Sequence, residues 1–249
     1  MDILITGSKG FLGKSLIKFF KSQTNHNIYE FSKGDCIKDL EKLINKIDIV
    51  FHFAGINKAK GKNEFEKINV DLTRKICEVI KLNPNTSLFY SSSIQALLNS
   101  DYGKSKKKAE KVCLDLNKQF NNKVYILRLP GIFGIGCKPN YNSVVATFCY
   151  NTIMNIELNI INPEKEIDLL FNEDLFMQLK SLINQRSSEQ FIKLKNIQKI
   201  SIRKLASTIK SFQNNPSDIE LLKSKDQLKN NLYKTYLSYK SYRKFKAYE

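Results

Sequence analysis

Tyr102 and Lys106 stand four residues apart, and Ser93 precedes the tyrosine by nine. On a helix that spacing puts phenol and ammonium on one face, where the ammonium can lower the pKa of the phenol. A serine hydroxyl at the end of a strand can hydrogen-bond a substrate carbonyl. The phenol can then pass its proton to the same oxygen while hydride reaches the carbon. Lys104, Lys107 and Lys108 read as solvated neighbours. The pairing therefore rests on its place after Ser91-Ser92-Ser93 and not on spacing alone.

A hydride calls for a dinucleotide, and the first thirteen residues supply a place for one. A strand-like run, Ile3 to Ile5, enters Gly7-x-x-Gly10-x-x-Gly13, and an amphipathic helix opens at Phe11 and Leu12. Glycines there let backbone N–H groups and a helix N-terminus approach a pyrophosphate. The second strand should end in an acidic residue to hold a ribose 2′-hydroxyl, but Ser32-Lys33 stand there. A hydroxyl followed by a cation suits a 2′-phosphate, which favours NADP(H) over NAD(H). Glu30, of the same strand parity, keeps NAD open, and Asp35 is placed to meet the adenine edge. Ala54 and Gly55 close the third strand with small residues past which a cofactor can lie. His52 beside them reads as a core or supporting histidine.

These groups need a scaffold, and the apolar pattern supplies one. Strand-like runs at 27–31, 49–53, 87–91 and 124–127 alternate with helical ones at 11–21, 37–46, 64–82 and 102–120. That alternation predicts an α/β fold, a Rossmann-type doubly wound parallel sheet with helices on both faces. After about 135 the rhythm loosens. The expectation is a dinucleotide-binding domain over 1–135 and a smaller α/β substrate-binding lobe over 136–249, interleaved with the first. Within the lobe we expect a loop at 137–142, a helix at 143–153, a strand at 167–171 and a helix at 173–184. A strand at 191–194 and a helix at 202–213 capped by Ser201 follow, and 220–249 carries the least pattern.

The 249 residues suffice for a sizeable core, and 42% hydrophobic with 26% charged is ordinary for a globular chain. Five scattered cysteines and two histidines offer no local metal cluster, so no metal is expected, and reduced cysteines fit a cytoplasmic protein. No apolar run is long enough to insert in a membrane. The net charge of +17 is spread as lysine along the whole chain, which disfavours a nucleic-acid patch. The tail tyrosines 233, 236, 239, 242 and 248 fit base stacking or packing on the body equally.

The sequence resembles the extended short-chain dehydrogenase/reductase (epimerase/dehydratase) family. Thr6-Gly7-x-x-Gly10-x-x-Gly13, His52-Phe-Ala-Gly55, Asn69-Val-x-x-Thr73, Ser91-Ser-Ser93, Tyr102-x-x-x-Lys106 and Arg128-Leu-Pro-Gly-Ile-Phe-Gly134 carry the resemblance, in the family's order. Ser91-Ser-Ser-Ile-Gln-Ala96, Cys137-Lys-Pro-Asn-Tyr-Asn-Ser143 and Ala146-Thr-Phe-Cys-Tyr150 look like the reductase domain of the capsular-polysaccharide reductase–epimerases on the route to UDP-N-acetyl-L-fucosamine. That resemblance implies NADPH-dependent reduction of the 4-ketone of a UDP-linked 2-acetamido-2,6-dideoxy-hexos-4-ulose, giving the L-talo sugar nucleotide. It makes Ser93, Tyr102 and Lys106 catalytic, with Lys106 also on the nicotinamide ribose. It offers Asn140, Tyr141 and Asn142, with Ser93, to the substrate, and implies a homodimer through helices 64–82 and 102–120. Such enzymes carry a metal-binding cupin domain that epimerises first. Two histidines cannot build that site, so either a separate epimerase acts or the substrate already has the required configuration.

Dehydration needs an acid/base carboxylate pair just after the catalytic hydroxyl, and none precedes Asp101. A 4-epimerase that retains NAD shares the same side chains and stays open, as does a dinucleotide-sensing regulatory protein.

Overall fold

The structure is a computed structural model that describes residues 1–23, 25–61, 63–185, 189–213 and 226–246. Its chain divides into two compact units. Met1–Leu129 with Gln178–Leu194 form the first, and Pro130–Met177 with Lys195–Glu249 the second. The sequence places a boundary at 135; the division falls between Leu129 and Pro130, and 178–194 return to the first unit.

Five parallel strands build the first unit: β1 (Asp2–Thr6), β2 (Asn27–Phe31), β3 (Ile49–His52), β4 (Ser87–Ser93) and β5 (Val124–Leu129). They lie in the order β2-β1-β3-β4-β5, a Rossmann-like sheet as the alternation predicts. Helices α1 (Phe11–Gln23), α2 (Ile37–Leu43), α3 (Leu72–Ile80) and α4 (Asp101–Phe120) connect them. The predicted helix at 37–46 ends in a 3₁₀ turn at Ile44–Lys46, and that at 64–82 begins with a π-helical stretch, Glu66–Asp71.

Strand periodicity gives the sheet two apolar faces. Leu4, Val50, Leu88, Tyr90 and Ile126 point to one, where Leu40, Ile76, Ile80, Ala109, Cys113 and Leu116 from the helices cover them. The other carries an aromatic ladder. Phe20 of α1 meets Phe51 at 5.8 Å, Phe51 meets Phe89 at 4.9 Å, and Phe89 stacks on Tyr125 at 4.5 Å. The register aligns the last three side by side. Both faces are dry, so the strand ends, where the apolar pattern stops, are left to carry polar chemistry.

A strand predicted at 191–194 is a single bridge. Phe191 pairs with Ile126 on the edge of β5, flanked by hydrogen bonds from Ile126 N to Gln190 O (2.6 Å) and from Ile192 N to Ile126 O (3.0 Å). After Leu194 the chain belongs to the other unit, so the pairing extends no further.

In the second unit β6 (Gly131–Phe133), β7 (Glu166–Phe171) and β8 (Gln198–Ser201) form a small sheet, with β6–β7 parallel and β7–β8 antiparallel. Helix α5 (Val144–Ile153) is capped by Ser143, whose Oγ accepts from Ala146 N, and α7 (Ile202–Ser211) by Ser201 in the same way, from Lys204 N. Helix α6 is Asn172–Gln185, of which residues from Gln178 on belong to the first unit. The tail forms α8 (Gln227–Lys246), which packs on α5 and α7. Its Tyr233, Tyr236 and Tyr239 are at most 4% exposed, and Phe212 sits edge-on to Tyr233. These three rings are core and cannot stack on bases. The Tyr242 side chain and Tyr248 lie outside the described residues.

Candidate active site

β1 and β3 end side by side, with Thr6 opposite His52, and β4 passes His52 at Tyr90 and runs on to Ser93. Between β1 and β3 the strand order reverses direction, the place where open α/β sheets bind ligands. Gly7 follows β1 at φ 69°, a left-handed conformation that glycine adopts without strain. A Cβ on it would stand 2.7 Å from Ala54 N, so the turn lies flat against the end of β3. One on Gly13 would stand 2.3 Å from Gly7 O, so α1 packs tightly on the turn. The first helical hydrogen bond of α1 is Lys14 N to Gly10 O (2.9 Å), which leaves the N–H groups of Phe11, Leu12 and Gly13 without a carbonyl one turn back. Such a cradle of free N–H groups at a helix N-terminus fits a dinucleotide pyrophosphate.

Beside it, Ser8 N bonds Phe31 O (3.2 Å), which brings the end of β2 against the turn. Asp35 folds back: its Oδ2 accepts from Ser32 N (2.7 Å) and from Ser32 Oγ (3.2 Å). The Ser32 hydroxyl is thus committed within the loop, and Lys33 is the exposed cation there. Glu30 faces the far end of α1, 3.7 Å from Lys21.

His52 is fully enclosed. Its Nδ1 is 2.6 Å from Thr6 Oγ1 and its Nε2 is 2.9 Å from Thr73 Oγ1. Thr73 gives its proton to Asn69 O (2.7 Å), so Nε2 must donate to Thr73 and Nδ1 must accept from Thr6. Burial drives the histidine down to about 3, with Lys106 adding to it, and the ring stays neutral. It is a core histidine, as its apolar setting in the sequence suggests.

Helix α4 starts at Ser100, whose Oγ accepts from Gly103 N (3.0 Å). A Cβ on Gly103 would stand 2.2 Å from Gln95 O, so glycine lets the helix close on the loop that carries Ser93. The result brings the Tyr102 phenol near the Ser93 side chain. Burial raises the phenol above its usual range, and hydrogen bonding to Ser93 opposes this. Lys106 follows Tyr102 by one turn of α4. The Lys106 Nζ donates to Ser91 O (2.7 Å) and lies 3.4 Å from Tyr90 Oη. A Cβ on Gly55 would stand 3.4 Å from it, so the ammonium sits beside the Ala54-Gly55 backbone. Burial lowers Lys106 to about 8. Lys104, Lys107 and Lys108 are exposed, and Lys108 reaches Glu66 (2.8 Å).

The structure therefore brings Ser93, Tyr102 and Lys106 to one end of the sheet with Gly7, Ala54 and Gly55. Asn140, Tyr141 and Asn142 lie in the second unit, all exposed; Asn140 adopts φ 55° and its N–H bonds Thr147 Oγ1 (3.0 Å). Sequence reasoning gave the supports no role. Asn69 ties both backbone groups of Ile56 (2.8 and 2.9 Å) and Ser105 Oγ (3.0 Å), and Phe65 lies against Tyr102 at 5.8 Å. Tyr90 and Glu110 are also among them. Charge alone marked Glu110, which stands one helical turn after Lys106.

The model of the NAD dependent epimerase/dehydratase family matches residues 3–190. The chain belongs to that family. Over 96% of its length it is 34% identical to UDP-2-acetamido-2,6-beta-L-arabino-hexul-4-ose reductase from Pseudomonas aeruginosa, covering 65% of that protein. The capsular polysaccharide assembling protein CapF from Staphylococcus aureus is similar in structure, with a TM-score of 0.83 and 32% identity over 96% of this chain and 66% of CapF. The chain thus spans about two thirds of the length of these relatives. UDP-glucuronic acid 4-epimerase from Bacillus cereus, solved with NAD, shares the fold at a TM-score of 0.83 and 18% identity, covering 97% of this chain and 99% of its own.

Proposed function

We propose that the chain is an NADPH-dependent reductase of the 4-ketone of a UDP-linked 2-acetamido-2,6-dideoxy-hexos-4-ulose, giving the L-talo sugar nucleotide for surface polysaccharide. The observation that carries this is the Tyr102 phenol beside Ser93 at the end of β4, with Lys106 buried one turn along α4. The relative from Pseudomonas aeruginosa supports the substrate class.

A nicotinamide bound there would supply the hydride that C4 receives. Ser93 Oγ donates to the ketone oxygen and orients it, and Tyr102 gives that oxygen its proton as the C–H bond forms, leaving an alcohol. The tyrosinate then regains a proton from solvent. A phenol raised by burial is protonated at neutral pH, as a proton donor must be. Phe11, Leu12 and the glycine turn hold the pyrophosphate, Lys33 a 2′-phosphate, and Lys106 the nicotinamide ribose. Because Asp35 holds Ser32, the NADP preference rests on Lys33. Asn140, Tyr141 and Asn142 serve the sugar nucleotide. The protein works in the cytoplasm as a homodimer paired through α3 and α4.

The test is oxidation of NADPH with isomers of the 4-keto sugar nucleotide. Tyr102→Phe should lower kcat by about 10²–10⁴-fold while dinucleotide binding persists. Lys33→Glu should cut the NADPH-over-NADH ratio by about tenfold. Binding of dinucleotide without turnover of any isomer refutes the reductase and returns the choice to a 4-epimerase or a sensor.

A further inference from the structure

Lys106 is 5% exposed, and its ammonium donates to the Ser91 carbonyl at 2.7 Å. Two other groups surround it that the reaction does not use. Tyr90, 0% exposed, places its hydroxyl 3.4 Å from Nζ and its ring centroid 4.9 Å below it. Glu110, 3% exposed, is one turn farther along α4 on the same face.

Neither is placed by chance. Ser92 lies opposite Arg128 in the β4–β5 register. Arg128 Nε and Nη2 donate to the two carboxylate oxygens of Glu110 at 2.9 and 2.7 Å, and Ser92 Oγ donates to Oε1 at 2.5 Å. The guanidinium rests on the Phe191 ring at 4.5 Å. Three elements, β4, β5 and α4, therefore fix one buried carboxylate beside the lysine. Tyr90 in turn shares a hydrogen bond with Thr73, which also serves His52.

We propose that Tyr90 and Glu110 are positioning residues for Lys106, a buried cradle that fixes where its ammonium sits and keeps it charged. The inference rests on the reading of Lys106 as a member of the catalytic set. An ammonium out of water is held by hydrogen bonds to its charged form, by the face of an aromatic ring and by opposite charge. The titratable groups that face Lys106 are His52 from β3, Tyr90 from β4, and Tyr102, Glu110 and Cys113 on its own helix, with Cys77 of α3 behind Cys113. Burial opposes the charge, and Cys113 and Glu110 favour it. Burial also pushes the Cys113 thiol well up, so it is neutral at physiological pH and Glu110 is the anion that acts there.

The experiment follows the ¹³Cε resonance of Lys106 across pH, identified by its loss in Lys106→Met, in the full chain. We expect a midpoint near 8 in the unaltered protein. It should fall by about one unit in Glu110→Gln and by about half a unit in Tyr90→Phe. The alkaline limb of kcat should move down by the same amounts, with KM at pH 6.5 changed less than about twofold. Midpoints that stay within about 0.2 unit of the unaltered protein, whatever happens to Tm, overturn the cradle and leave both residues purely structural. Tyr90→Phe keeps the ring and removes one hydroxyl, so it decides the matter if Glu110→Gln fails to fold. The resonance titrates with or without turnover, so a wrong substrate and a wrong cradle give different results.

Discussion

His52 and Lys106 are both buried bases where neighbouring strands end, and the fold treats them in opposite ways. His52 has a threonine on each ring nitrogen, and burial drives it to about 3, so it never charges under physiological conditions. Lys106 keeps its ammonium with one strong carbonyl bond and a long contact to Tyr90, at about 8. A buried group whose bonds are complete holds structure. A buried charge with donor capacity to spare, beside glycine backbone, is held ready for a ligand.

Removing each base should show the contrast. Lys106→Met should abolish most activity, a loss of about 10³-fold, and at the same time make the protein more stable at pH 7. A folded-state value of about 8 against 10.5 means that the unfolded chain holds this proton more tightly, a penalty on the order of 3 kcal/mol at pH 7. That penalty fades as pH rises from 8 to 10.5, so the variant's advantage in urea midpoint should shrink over the same range. A variant less stable than the unaltered protein at pH 7 breaks the comparison.

His52→Leu should do the reverse, costing about 2–4 kcal/mol because Thr6 and Thr73 lose their partners. Here the folded value of about 3 lies below 6.5, so the unfolded chain takes up the proton first. The histidine's contribution is complete above about 6.5 and declines as pH falls towards 3. Urea midpoints of the unaltered protein should drop in that window, and those of His52→Leu should drop less.

The smallest effect carries the contrast into the second unit. Tyr239 is buried and its hydroxyl donates to Cys137 O. Tyr239→Phe should lower stability by about 1 kcal/mol, seen as a small fall in Tm, and leave kcat unchanged. A large loss of kcat would mean that the tail helix acts on the chemistry.

The sequence made the first unit legible because its strands are continuous apolar runs and its motifs sit at their ends. Thr6, His52 and Ser93 each close a strand, and a helix places Tyr102 and Lys106 on one face. The supports were hidden because they depend on register. Nothing in the order of residues says that Ser92 lies opposite Arg128, or that Glu110 reaches both. The lobe was harder for other reasons. β6 has three residues directly after a proline, too short for a period, and β8 lies beyond the 191–194 run that looked more strand-like. In α8 the spacing of Tyr233, Tyr236 and Tyr239 is helical and could have been read, but the lysines around it masked a buried face.

The central claim is that this chain transfers hydride to a sugar ketone and releases the oxidised dinucleotide. The most direct measurement supplies NADPH deuterated at the transferred position, with the UDP-linked 4-keto sugar, and looks for deuterium at C4 of the product. One deuterium per product, one NADPH consumed per turnover and neither in Tyr102→Phe is the predicted result. Interconversion of sugar nucleotides with no net NADPH use, on a dinucleotide that stays bound, would contradict it.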